Sequence, residues 1–114
     1  MMCDTFYNLI DLFDVSASSD PLITELTTGG KTPYISSTEK NNGIYEYVDE
    51  VPTNSGNVIT ANRGGSVGFF FYQPKDYLAT PVDVRILTPK FELNKYIGLF
   101  FTTLLKQEKF KFNY

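Results

Sequence analysis

Gly56-Asn57-Val58-Ile59-Thr60-Ala61-Asn62-Arg63-Gly64-Gly65-Ser66-Val67-Gly68-Phe69-Phe70-Phe71-Tyr72 sets two apolar, β-branched or aromatic runs on either side of an Asn-Arg-Gly-Gly tip. Tip residues of this kind accept the positive φ of a tight hairpin turn, and the flanking runs suit a pleated, half-buried strand. The stretch therefore reads as a β-hairpin over residues 57–72. A turn at residues 62–66 lifts Arg63 off the sheet between Asn62 and Ser66. The tip then offers a planar guanidinium fork beside an amide and a hydroxyl, a set that suits a guanine edge or a phosphate. The other reading of Arg63 is a solvated surface side chain.

Outward from the hairpin the chain continues in short elements. Ile44-Tyr45-Glu46-Tyr47-Val48 alternates and reads as a strand, closed by Pro52 and the Asn54-Ser55-Gly56 turn. Pro33 biases its predecessor toward extended backbone, so residues 33–37 read as extended, and residues 38–43 as a polar turn. Residues 16–32, rich in Ser, Thr and Gly, read as a loop, and residues 7–15 as a short helix or turn leading into a strand. Beyond the 73–76 turn, residues 82–87 alternate with Asp83 and Arg85 on the wet face, and Pro89 ends that strand. Leu93, Tyr96, Ile97, Phe100, Phe101, Leu104 and Leu105 recur at helical spacing. That pattern predicts one amphipathic helix over about residues 93–109, packed on the sheet through those side chains.

A chain of 114 residues fits one domain with a real core, and 16% aromatic content places it among globular, sheet-rich proteins. No apolar run approaches the roughly 20 residues of a membrane span, and the start has no basic n-region. With a lone Cys3, the expectation is a soluble, cytoplasmic protein without an internal disulfide and without a membrane partner. The net charge of −3 conceals a division between nine acids against two lysines over residues 1–52 and eight bases against four acids over residues 53–114. Such segregation can present a basic face to phosphate, provided that it persists in space.

The chemistry that the sequence excludes is extensive. Without histidine there is no Ser-His-Asp triad, Cys-His pair or His-ligated metal, and Cys3 alone makes no zinc site. Gly64-Gly65-Ser66-Val67-Gly68 lacks the Gly-Lys-Ser/Thr ending of a phosphate-cradling loop and opens no helix. Carboxylate pairs such as Asp49 and Glu50 fall in polar turns and read as solvated charge. No catalytic residue, cofactor or metal is expected, which leaves a binding module or a part of a larger enzyme.

Pro33-Tyr34-Ile35-Ser36-Ser37-Thr38, Asn41-Asn42-Gly43-Ile44, Gly56-Asn57-Val58-Ile59-Thr60 and Asn62-Arg63-Gly64-Gly65-Ser66-Val67-Gly68 stand in an informative order. With Phe71-Tyr72-Gln73-Pro74, Ala79-Thr80, residues 82–87, Asn94-Lys95-Tyr96 and residues 109–114, that order resembles the target-recognition domains of type I restriction-modification specificity subunits. Similar domains are fused to methyltransferase and nuclease parts in single-chain type II enzymes. The resemblance covers about residues 8–114. It implies an α+β domain: a twisted, partly barrel-like β-sheet with hairpins and a C-terminal amphipathic helix packed on it, whose loops enter the grooves of double-stranded DNA.

Carried onto this chain, the resemblance makes residues 36–42 and 62–66 the DNA-facing loops. Lys40, Asn41, Asn42 and Arg63 become candidates for base edges or phosphates, with Asn62 and Ser66 beside Arg63 at the tip, and Lys31, Lys75 and Thr80 become further phosphate candidates. The implied function is to select the sequence at which a partner DNA methyltransferase or restriction subunit acts. Specificity subunits carry two such domains separated by long spacer helices, so the chain reads as one domain over residues 1–114, a fragment or half-unit of a larger specificity protein or a small accessory protein. Two other classes stay open: an interaction or decoy module that binds restriction-modification subunits without reading DNA, and a fold with a small-molecule pocket under Tyr34, Tyr45 and Tyr47. Basic residues converging on one concave face favour the first reading, and carboxylates ringing the loop tips favour the second.

Overall fold

The computed structural model describes residues 11–64 and 67–108, with the side chains of residues 63, 64, 67, 68 and 105–108 left aside. Seven strands are described: β1 (Phe13–Ser16), β2 (Thr28–Ile35), β3 (Ile44–Val48), β4 (Val58–Gly64), β5 (Val67–Gln73), β6 (Leu78–Ala79) and β7 (Val84–Pro89). One helix follows, α1 (Lys95–Glu108). The strands form a four-stranded antiparallel sheet in the order β1-β7-β4-β5 and a three-stranded mixed sheet in the order β3-β2-β6. The fold is α+β, and the strands form two separate sheets without closing a barrel.

Strand β4 is buried on both faces because it lies between two packed layers. Ile59 and Ala61 face Phe13, Phe70 and Leu87, with Phe91 and Phe101 packed onto this cluster. Val58 joins Ile35, Tyr77, Ala79, Val84 and Ile86 from the strands on the other side. The four-stranded sheet is thus covered by α1 on one face and by the smaller sheet on the other. Burial of the large apolar side chains among these contributes about 1.5–3 kcal/mol each and holds the layers together.

The hairpin exists with a longer ladder than the sequence indicates. Its register runs from Val58 opposite Gln73 to Gly64 opposite Val67. Asn62 pairs with Phe69 and Arg63 with Gly68, so both belong to strand β4 and not to the turn, and residues 65 and 66 lie outside the described residues. Strand β2 begins at Thr28, inside the span read as a loop, because Thr28 and Thr32 both oppose Val48 across a bulge. Gly30 serves that bulge, since a Cβ there would fall 2.2 Å from the Val48 carbonyl oxygen. Asp83 adopts φ 64° in the turn, which delays β7 to Val84 and removes Asp83 from the strand's wet face. The helix or turn expected within residues 7–15 lies largely outside the described residues, and Phe13 and Val15 are in β1.

Helix α1 corrects the expected packing stripe. Asn94 caps it, its Oδ1 accepting from the Ile97 N–H at 3.0 Å, and Leu93 is buried just before the first turn. The face turned to the sheet carries Gly98, Phe101 and Thr102, whereas Tyr96 is 81% and Phe100 59% exposed. Ile97 also lies at the surface, Leu104 is half-buried, and the side chain of Leu105 is not described. The cause is Tyr72. A Cβ at position 98 would stand 2.3 Å from its ring, so the helix approaches through glycine and turns Tyr96 and Phe100 outward.

Candidate nucleic-acid interface

The β2–β3 connection, residues 36–43, is short and polar, and three consecutive residues in it take left-handed backbone: Asn41 (φ 51°), Asn42 (φ 57°) and Gly43 (φ 79°). Asparagine and glycine tolerate that region best, which is why an Asn-Asn-Gly run occurs here. The loop closes on itself through Ser36 N–H to the Gly43 carbonyl at 3.1 Å, Thr38 N–H to the Ser36 carbonyl at 2.8 Å and Gly43 N–H to the Lys40 carbonyl at 3.0 Å. Lys40 and Asn41 are exposed on its outer side.

Side-chain amides of the β4–β5 hairpin hold this loop from beneath. Asn62 is 2% exposed, and its Nδ2 donates to the carbonyls of Ser36 at 3.1 Å and Thr38 at 2.6 Å. Gln73 Nε2 donates to the Asn42 carbonyl at 2.9 Å and to Thr60 Oγ1 at 3.0 Å. Asn42 Nδ2 answers by donating to the Tyr72 carbonyl at 2.8 Å and, more weakly, to Gln73 Oε1 at 3.4 Å. The expected role of Asn62 as a surface contact beside Arg63 is therefore corrected. Thr80 is likewise only 7% exposed; its N–H donates to the Ile35 carbonyl at 2.9 Å and its hydroxyl accepts from Val82 N–H at 3.3 Å, so it ties strands together away from solvent.

Beside the loop, Lys31, Asn42, Tyr47, Gln73 and Lys75, with Pro33 and Pro74, line an open cleft of about 160 Å³. Lys31 from β2 and Lys75 from the β5–β6 turn are both exposed, and neither has a carboxylate partner among the described residues. Three of the sequence candidates, Lys31, Asn42 and Lys75, thus meet at one place, with Lys40 and Asn41 on the adjoining loop. The side chain of Arg63, and Ser66 altogether, lie outside the described residues. Sequence reasoning missed Gln73 as the loop's support. The period-2 pattern of β5 could have found Gln73, because it shares a face with Phe71, whose ring lies against Gly43. The small-molecule pocket expected under Tyr34, Tyr45 and Tyr47 is not formed by these three side chains: Tyr34 is buried in the core, Tyr45 is exposed, and of the three Tyr47 alone lines the cleft. No group of three or more His, Cys, Asp or Glu able to hold a metal ion occurs among the described residues.

Two packed sheets thus present a hydrogen-bonded polar loop beside a lysine-flanked cleft. Residues 5–114 match the family described as the type I restriction modification DNA specificity domain, and the chain belongs to it. It is 33% identical over 86 residues to the type II restriction enzyme specificity subunit S.BcgI of Heyndrickxia coagulans, covering 75% of this chain and 25% of that protein. The crystal structure of a type I restriction-modification system S subunit from M. genitalium has the same fold, with a TM-score of 0.62 and 21% identity over 89% of this chain and 26% of that one. The chain spans about a quarter of the length of these relatives. No described helix is long and apolar enough to cross a membrane.

Proposed function

We propose that this domain recognises a sequence in double-stranded DNA and directs partner methyltransferase and restriction subunits to it, without catalysis of its own, in the cytoplasm. The observation that carries the proposal is the convergence of Lys31 and Lys75 on one cleft beside a hydrogen-bonded loop that exposes Lys40 and Asn41, in a chain of the DNA specificity family. Lysines flanking an open cleft suit backbone phosphates, which position a protein on the duplex. Lys40, Asn41 and the hairpin-end Arg63 and Ser66 are assigned to base edges or nearby phosphates, and Asn42 to the junction of loop and cleft. Direct readout requires such donors to be held at fixed angles, because each bidentate pair contributes about 1–3 kcal/mol of discrimination only when it is aligned. Selection of the immobilised chain against a library of random-sequence duplex DNA tests the proposal. Enrichment of a defined motif is expected; recovery of sequences no different from the input library would overturn it.

A further inference from the structure

We infer that Asn62 and Gln73 are specificity-determining positioning residues, buried amides that fix the 36–43 loop so that its exposed side chains meet DNA in one register. The inference rests on reading that loop as DNA-facing. Asn62 clamps the loop's first half through two carbonyls, Ser36 and Thr38, and Gln73 clamps its second half through the Asn42 carbonyl. Asn42 returns a hydrogen bond to the Tyr72 carbonyl, so loop and hairpin are joined in both directions. Two candidate recognition elements, the loop and the hairpin that carries Arg63, thereby move as one body.

Physical chemistry gives this lock a consequence for discrimination. Ordering a residue's backbone carries an entropic cost, so a loop of this length left free would be ordered only on binding. A free loop could also settle differently on a wrong sequence, which narrows the gap between right and wrong partners. The locked loop meets every sequence with the same fixed donors. Asn62 bears a further mark of function: its Oδ1 is buried with no donor among the described residues. An unfilled buried acceptor lowers stability, and an apolar residue at this position in β4 would avoid that loss while keeping the strand.

Hydrogen exchange and duplex selection on the same proteins test the inference. In Asn62→Leu and in Gln73→Met, the Ser36, Thr38 and Gly43 amides should exchange at least about tenfold faster while those of β4 and β7 keep their protection. Against random-sequence duplex DNA the variants should enrich a degraded motif, with discrimination down about tenfold, and the salt dependence of binding should hold because no phosphate contact is removed. A merely structural amide would lower protection throughout the sheet and weaken binding without changing the motif, and that outcome in both variants overturns the inference. If the wild type enriches a motif and the variants enrich it equally well, positioning fails while DNA reading stands. If the wild type enriches nothing, DNA reading fails and the inference falls with it, whatever the loop amides do.

Discussion

Tyr34 and Tyr77 are both fully buried, yet their hydroxyls meet opposite fates. Tyr34 donates to the Pro21 carbonyl at 2.7 Å, whereas Tyr77 has no hydrogen-bond partner among the described residues. Burial raises the pKa of both phenols above the usual tyrosine value, with the Asp20 carboxylate adding to the rise; for Tyr34 the Thr80 hydroxyl opposes it and Glu25 adds a little. Tyr77→Phe should therefore be neutral or stabilising by up to about 1 kcal/mol, and Tyr34→Phe should cost about 1 kcal/mol, both read from urea unfolding midpoints. A destabilisation by Tyr77→Phe as large as that by Tyr34→Phe would contradict this assignment. Because the folded pKa values lie above the unfolded value of about 10, the neutral phenols contribute their full stability below that pH and lose it as pH rises further. Thermal melts should therefore fall steeply above about pH 10, and less steeply in Tyr77→Phe. At this scale the sequence was a partial guide. It placed Asn41 and Asn42 in a polar turn, but it read Asn62 as exposed, because an amide in a strand has no local signal of the carbonyls that a distant loop will bring to it.

Helix α1 shows the same limit for an element. Its existence and extent were legible from apolar spacing, which predicted residues 93–109 where Lys95–Glu108 is found. Its facing side was not, because eight apolar residues in thirteen positions make a surface broad enough to pack at several rotations, and Tyr72 on a different element selects among them. Gly98→Ala should thus destabilise the domain by about 1–3 kcal/mol although alanine is the better helix former, since the added methyl has a ring to displace. Phe100→Ala should cost less than about 1 kcal/mol, whereas Phe101→Ala, which removes edge-to-face contacts with Phe13 at 5.7 Å and packing on Phe91 at 5.3 Å, should cost about 2–4 kcal/mol. Differential scanning calorimetry of the three variants checks the ranking. Equal losses at Phe100 and Phe101 would mean that the helix sits at the rotation that its sequence alone implies.

The whole molecule redistributes charge that the sequence separates. Residues 1–52 are acidic and residues 53–114 basic, a net −7 against +4, but the halves interleave: β2 pairs in parallel with β6, and β1 pairs with β7. Lys31 of the acidic half thereby joins Lys75 of the basic half across one cleft, a convergence with no trace in sequence order because it depends on a two-residue strand, β6, too short to show any periodicity. If the cleft holds backbone phosphates, Lys31→Gln and Lys75→Gln should each weaken binding to random-sequence duplex DNA and shallow the plot of log K against log salt by about one ion, and the double variant by about two. The enriched motif should be unchanged, because phosphate contacts carry no base information. Thermal stability should move by less than about 0.5 kcal/mol, since both side chains are exposed and unpaired among the described residues. Fluorescence anisotropy over a range of salt concentrations reads the slope, and selection reads the motif. This behaviour is the converse of that expected for Asn62→Leu, which should alter the motif and spare the slope, so the four proteins together separate positioning on the duplex from reading of its sequence. A double variant with the wild-type salt slope would move the phosphate contacts to another surface of the domain.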